Sequence, residues 1–165
     1  MARSRSLASS LSFLSSSSRR FVVCLFVMLA FGGMASGAAS ARDMVSVDGA
    51  TANMRSGPGT GYRAEWSLAH GYPLRVVGRQ GNWLKVSDFE KDVGWVHRSL
   101  LGNKPHHVVK ASVANIRQRP TTRSPIVGRL QRGEVVETLG RQPGWIRVSA
   151  DGSKGWVASD LLWGW

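Results

Sequence analysis

A displacement of 62 residues lays the second half of this chain on the first. Ala52, Asn53, Arg55, Pro58 and Thr60 fall on Ala114, Asn115, Arg117, Pro120 and Thr122. Leu68, Gly71 and Gly78 fall on Leu130, Gly133 and Gly140, and Arg79, Gln80, Trp83, Val86 and Ser87 on Arg141, Gln142, Trp145, Val148 and Ser149. One deletion in the last hairpin then brings Gly94-Trp95-Val96 and Leu100-Leu101 onto Gly155-Trp156-Val157 and Leu161-Leu162. Identity at turns and tryptophans in a single register marks a duplicated unit. Each unit has only about sixty residues, a size that buries roughly 60% of its unfolded surface. Large rings supply the apolar area that so short a chain cannot find elsewhere.

Within the unit, Leu84 and Val86 alternate with Trp83, Lys85 and Ser87, the period of two that belongs to a strand with unlike faces. Gly94 and Gly155 carry no side chain, so a neighbour can lie against the backbone beside Trp95 and Trp156. Met44–Val47, Ala52–Arg55, Pro73–Val77, Trp83–Ser87 and Val93–His97 read as strands. They are separated by the Gly/Pro-rich loop Ser56–Tyr62, turns at His70-Gly71 and Gly81-Asn82, and the acidic loop Asp88–Asp92. Short strands, frequent turns and no helical period predict an all-β chain of two small tandem barrels. The boundaries are 42–101 and 113–165, with 102–112 as a short polar linker that holds the barrels close.

Residues 1–41 are set apart from both barrels. Arg3, Arg5, Arg19 and Arg20 precede an apolar run from Phe21 to Phe31, and small residues follow to Ala41. That order is the pattern of a secretory signal peptide, and the run is short for a membrane span. Ala39-Ser40-Ala41 offers cleavage before Arg42 and Ser36-Gly37-Ala38 an earlier site; the alternative is an uncleaved anchor. Ser18-Arg19-Arg20-Phe21 bears a faint likeness to a twin-arginine signal, with Sec export the simpler reading. Removing 41 of the 165 residues leaves 124, without Cys24, so thiolate catalysis, disulfides and thiolate metal sites are all excluded. Removing four arginines and no acid lowers the net charge from +12 to +8, which suits anionic partners in the cell envelope. The expected location is the periplasm or the extracellular space.

The order Asn-x-Arg-x-x-Pro, Leu-x-x-Gly, a Trp-x-x-Val strand, Gly-Trp-Val and a closing Leu-Leu resembles the bacterial SH3-like (SH3b) domain, in both copies. Asn53-Met54-Arg55-Ser56-Gly57-Pro58-Gly59-Thr60-Gly61-Tyr62 matches the family's opening, and Leu162-Trp163-Gly164 is similar to the end of a two-copy exported subgroup. The resemblance implies SH3-like barrels and a binding module associated with peptidoglycan or peptides. It implies neither catalysis nor a particular ligand. An acidic loop paired with a tyrosine-rich groove is missing, which argues against PxxP recognition.

No Gly-x-Ser-x-Gly elbow or His-Glu-x-x-His helix occurs, and Asp88, Glu90 and Asp92 read as a solvated hairpin tip. His106 and His107 are adjacent on an extended chain and so point opposite ways, which makes them a poor metal clip. Neither a cofactor nor a metal is expected. The candidate ligand-binding set is aromatic: Tyr62, Trp66, Trp83 and Trp95, with Arg55 and His97 adding polar contacts. Trp83 and Trp95 read first as rings packed across the barrel, and Arg55 as a side chain that pairs with a turn carbonyl or an acid and so holds the loop. The second copy replaces Tyr62 by Ser124 and Trp66 by Gly128, and gains Arg119 and Arg123, candidates for a salt-sensitive electrostatic contact. The expected partner is a cell-wall glycan or peptide, with an envelope protein as the alternative; export argues against nucleic acid.

Overall fold

A computed structural model describes residues 43–165, so the signal-peptide reading of 1–41 lies outside the described residues. The first copy contains β1 (Met44–Val47), β2 (Thr51–Arg55), β3 (Ala64–Ala69), β4 (Pro73–Gln80), β5 (Trp83–Ser87), β6 (Val93–His97) and β7 (Leu101–Gly102). The second contains β8 (His106–Val109), β9 (Val113–Arg117), β10 (Ile126–Gln131), β11 (Val135–Gln142), β12 (Trp145–Ala150), β13 (Ser153–Ala158) and β14 (Leu162–Gly164). A three-residue 3-10 turn precedes the last strand of each, Arg98–Leu100 and Ser159–Leu161. All pairings are antiparallel, and the two seven-stranded sheets have the same order, β3-β2-β6-β5-β4-β1-β7 and β10-β9-β13-β12-β11-β8-β14.

Alternation sets the two faces of each sheet. In β2, Ala52 and Met54 are buried while Thr51 and Asn53 are exposed; in β5, Leu84 and Val86 are buried and Lys85 is exposed. With Val47, Leu74 and Val96 these inward residues make the first core. The second core uses the equivalent positions Val109, Ala114, Ile116, Val136, Ile146, Val148 and Val157. Each buried aliphatic side chain contributes about 1.5–3 kcal/mol of transfer free energy. Bulges help the strands curl around so small a core: the register slips between Val76 and Gly78 and between Thr138 and Gly140. The extra residues, Val77 and Leu139, are pushed out to solvent.

The connection between the sheets differs from the sequence reading. Gly102 pairs with Ser46 in the first sheet, and His106–Val109 forms β8 between β11 and β14. Residues 106–109 stand where 44–47 stand in the first copy, so the 62-residue register extends further back than the identities reveal. The two histidines hid that strand, being polar where Met44 and Val45 are apolar. Both are nonetheless buried. His106 Nδ1 donates to the Lys104 carbonyl at 3.0 Å, and His107 Nδ1 lies 2.6 Å from Thr138 Oγ1.

The barrels touch through β1, β4 and their turns on one side and β8 and β14 on the other. The His106 ring packs on Gly71 and stands edge-on to His70, centroids 5.9 Å apart. Trp165 Nε1 donates to Ser46 Oγ at 2.9 Å. Arg132 spans the junction, paired with Glu90 at 2.9 Å and stacked over Phe89 at 5.2 Å.

Candidate functional site

Strand phase places a row of side chains on the outer face of the first barrel. Arg55 lies opposite Trp95 across β2 and β6, Trp95 opposite Lys85, and His97 opposite Trp83. The 3-10 turn that follows β6 then folds Ser99 and Leu100 toward the same end. Together Thr51, Asn53, Arg55, Thr60, Trp83, His97, Ser99 and Leu100 line a groove of ≈350 Å³. Trp83 and His97 form its aromatic wall, ring centroids 5.2 Å apart and nearly perpendicular at 79°. His97 Nδ1 is taken by Ser99, whose Oγ lies at 2.7 Å and whose backbone N–H reaches it at 3.4 Å. Nε2 is the ring nitrogen that Ser99 leaves unengaged.

Arg55 is positioned by the loop rather than by an acid. Its Nη1 donates to the Tyr62 carbonyl at 2.7 Å and the Thr60 carbonyl at 3.3 Å. Arg117 repeats the arrangement on the Ser124 carbonyl at 2.7 Å. The guanidinium thus ties the Gly-rich loop to β2 and brings Thr60 to the rim of the groove.

Of the six side chains singled out for ligand binding, the structure gathers Arg55, Trp83 and His97 into this groove. Trp95 occupies the same outer face between Arg55 and Lys85, beside the cavity lining. Tyr62 is 51% exposed and lies over the loop: a Cβ on Gly57 would meet its ring at 2.4 Å. Trp66 is 52% exposed but faces Met54 across β2 and β3, in the inward phase of the sheet at its edge. It stands apart from the groove. Arg119 and Arg123 are exposed in the second copy's loop, where the Arg119 N–H donates to Ser124 Oγ at 2.9 Å.

Thr51, Asn53, Thr60, Ser99 and Leu100 were missed as lining residues. The alternation Thr51-Asn53-Arg55 announced the first two; the turn that delivers Ser99 and Leu100 has no sequence signal of its own. Asp88 proves structural, its Oδ1 accepting the N–H groups of Glu90 and Asp92, both at 2.9 Å. Burial holds its carboxyl above the usual range, against the lowering effect of those two bonds. A second cavity of ≈310 Å³, lined by Asp43, Val76, Arg79 and Arg98 among others, has no aromatic wall, and Asp43 already pairs with Arg79.

Residues 48–102 and residues 112–162 each match the bacterial SH3 domain. The chain carries two bacterial SH3 domains in tandem and belongs to that family. It is similar to YrvJ of Bacillus subtilis, whose name assigns it provisionally as an N-acetylmuramoyl-L-alanine amidase, with 28% identity over 127 residues. That match takes in 66% of this chain and 24% of the relative, so the chain spans about a quarter of the relative's length. Among solved structures, an NlpC/P60 family protein from Bacillus cereus overlaps at 14% identity and a TM-score of 0.34, over 73% of this chain and 55% of that one. NlpC1 from Trichomonas vaginalis overlaps at 18% identity and a TM-score of 0.33, over 72% and 44%. Both overlaps are loose. Among the described residues, no helix is long and apolar enough to cross a membrane.

Proposed function

We propose that the protein is a non-catalytic binding module of the cell envelope and that the groove of its first barrel holds peptidoglycan, through its peptide or glycan. The observation that carries this reading is the Trp83–His97 wall facing Thr51, Asn53, Arg55 and Thr60. A flat ring beside several amide, hydroxyl and guanidinium groups suits a polar ligand with hydroxyl, amide or carboxylate groups better than a lipid or a metal. The likeness to a protein named for N-acetylmuramoyl-L-alanine adds a wall connection. It extends over only a quarter of that protein, which leaves room there for a catalytic part this stretch does not match. A wall ligand also agrees with residues 1–41 acting as an export signal that carries the protein out of the cytoplasm.

In this reading Arg55 acts twice, holding the loop and presenting its free guanidinium edge. Trp95 stiffens the groove floor from the side, and Tyr62 extends it from the loop. The test is a pull-down of purified sacculi with the full chain. His97→Ala and Asn53→Ala, both on the outer face, should each lower retention by about tenfold, the worth of one good polar interaction, with unchanged melting. Undiminished retention in both variants, or capture by envelope proteins in place of sacculi, would overturn the assignment.

A further inference from the structure

The two barrels share a scaffold, but their outer faces diverge in one direction. Arg119 stands where the first copy has Gly57, Arg123 where it has Gly61, Arg129 where it has Ser67, and Lys154 where it has Val93. Arg147 replaces Lys85, and Arg117 matches Arg55. The strand register puts these changes together. Arg147 lies opposite Trp156 across β12 and β13, and Trp156 lies opposite Arg117 across β13 and β9. Arg129 faces Asn115 on the adjoining edge strand, and Lys154 precedes Trp156 by two residues in the same phase. Arg117 reaches up to the Ser124 carbonyl, which hangs the loop bearing Arg119 and Arg123 over that face.

All of these cations except the half-buried Arg117 are exposed, and among the described residues none of the six has a carboxylate partner. The nearby Glu137 is already held by Lys104 at 2.9 Å. Like charges on a diagonal across adjoining strands, as Arg147 and Lys154 are, lie roughly 7–8 Å apart and repel one another unless an anion lies between them. The groove residue His97 is meanwhile replaced by Ala158, so this face is not a second copy of the first site.

We propose that the outer face of the second barrel binds a linear polyol phosphate, a phosphodiester polymer that carries no bases. Five of the six cations are arginines, whose planar forks pair with phosphate oxygens two at a time. Their spread along a sheet face and a loop, with no enclosing cavity, fits successive charges of a chain rather than one small ion. Single-stranded nucleic acid would call for exposed stacking rings, yet the exposed Tyr62 and Trp66 of the first copy are Ser124 and Gly128 here. A lipid surface would call for an apolar anchor; on the face itself the exposed Val93 of the first copy has become Lys154, while the exposed Ile126 and Val127 at the sheet edge make vesicles a necessary comparison.

The test uses the full chain and a short synthetic poly(glycerol phosphate), with polygalacturonate, single-stranded DNA and phosphatidylglycerol vesicles as comparison probes. Binding to the phosphate polymer should weaken steeply with salt, as counterion release requires. R119Q/R123Q and R129Q/R147Q/K154Q should each lower affinity at least about tenfold at low salt and flatten the salt slope by about one unit for each phosphate left unpaired. The two variants share no residue, so misfolding of one leaves the other to decide, and melting curves identify it. Asn53→Ala should leave polymer binding intact, which separates this site from the groove. Equal affinity in both charge variants would overturn the proposal, as would tighter binding to DNA, to vesicles or to the carboxylate polymer.

Discussion

The pair Gly57 and Tyr62 shows how a residue difference between the copies is read physically. The ring of Tyr62 occupies the space a side chain on Gly57 would need. In the second copy Ser124 vacates that space, Arg119 fills the glycine's place, and Ser124 Oγ holds the loop by a hydrogen bond instead. Gly94 and Gly155 answer to a different constraint, the approach of β2 and β9 to the strand before each tryptophan. A Cβ on Gly94 would lie 2.5 Å from Met54 Cγ and 3.0 Å from the Arg55 carbonyl oxygen. On Gly155 it would lie 2.5 Å from Ile116 Cγ2 and 2.6 Å from the Arg117 carbonyl oxygen. Gly94→Val and Gly155→Val should each cost about 1–3 kcal/mol. Gly155→Val should cost more, because a β-branched isoleucine and a carbonyl yield less than a flexible methionine. Thermal melting of the two variants checks this: the expectation fails if neither melts lower, or if Gly94→Val melts the lower of the two.

Among the strands, β8 carries the heaviest structural demand for its length. It is paired on both edges, and Val108 and Val109 have no exposure at all. A charge placed at Val108 has no solvent and no partner. Val108→Asp should therefore cost about 4 kcal/mol or more, the range reached by an unpaired buried charge. The same substitution at Asn103, between the sheets and exposed, should change stability by less than about 0.5 kcal/mol. Denaturant unfolding followed by tryptophan fluorescence compares them. Similar midpoints for the two would mean that residues 106–109 behave as a tether and not as a strand.

For the molecule as a unit, stability is coupled to pH through His107, buried within the second barrel beside Thr138. Burial, and then the charge of Arg141, push its pKa down to about 4; burial lowers His106 as well. An unfolded histidine titrates near 6.5. Between those values the unfolded chain takes up a proton that the folded one refuses. Stability is therefore complete above pH 6.5 and is lost as the pH falls toward 4, by up to about 3 kcal/mol for this one group. Asp88, raised by burial, works in the opposite direction, losing its contribution as the pH rises. His107→Val, which installs the residue of the equivalent position 45, should flatten the fall. Chemical denaturation at pH 7.5 and 4.5 in both proteins gives the difference, and an equal fall in the variant would exclude His107 as its source.

The duplication, the all-β class and the alternation of inner and outer faces were legible in the amino-acid order, but the filling of the cores was not. Aliphatic side chains fill them, and the repeated tryptophans expected to supply apolar area stand half-buried on the outer faces. Turn residues, a period of two and repeated tryptophans are local signals, and each survives in a single copy of the unit. The same order pointed to Arg55, Trp83 and His97, and to the glycines against which β2 and β9 pack. Which of these side chains meet was settled by the folded arrangement alone. Trp66 is near the Gly-rich loop in the chain, yet strand phase turns it toward Met54 and away from the groove. Ser99 and Leu100 reach the groove because a 3-10 turn folds back after β6. His106 and His107 become strand residues because β8 pairs with β11 and β14 on both edges, while Gly71 and His70 of the first barrel cover the His106 ring, an environment that overrides the polarity of the side chains. Periodicity is written along the chain, whereas the meeting of distant faces depends on register and curvature set by many strands at once.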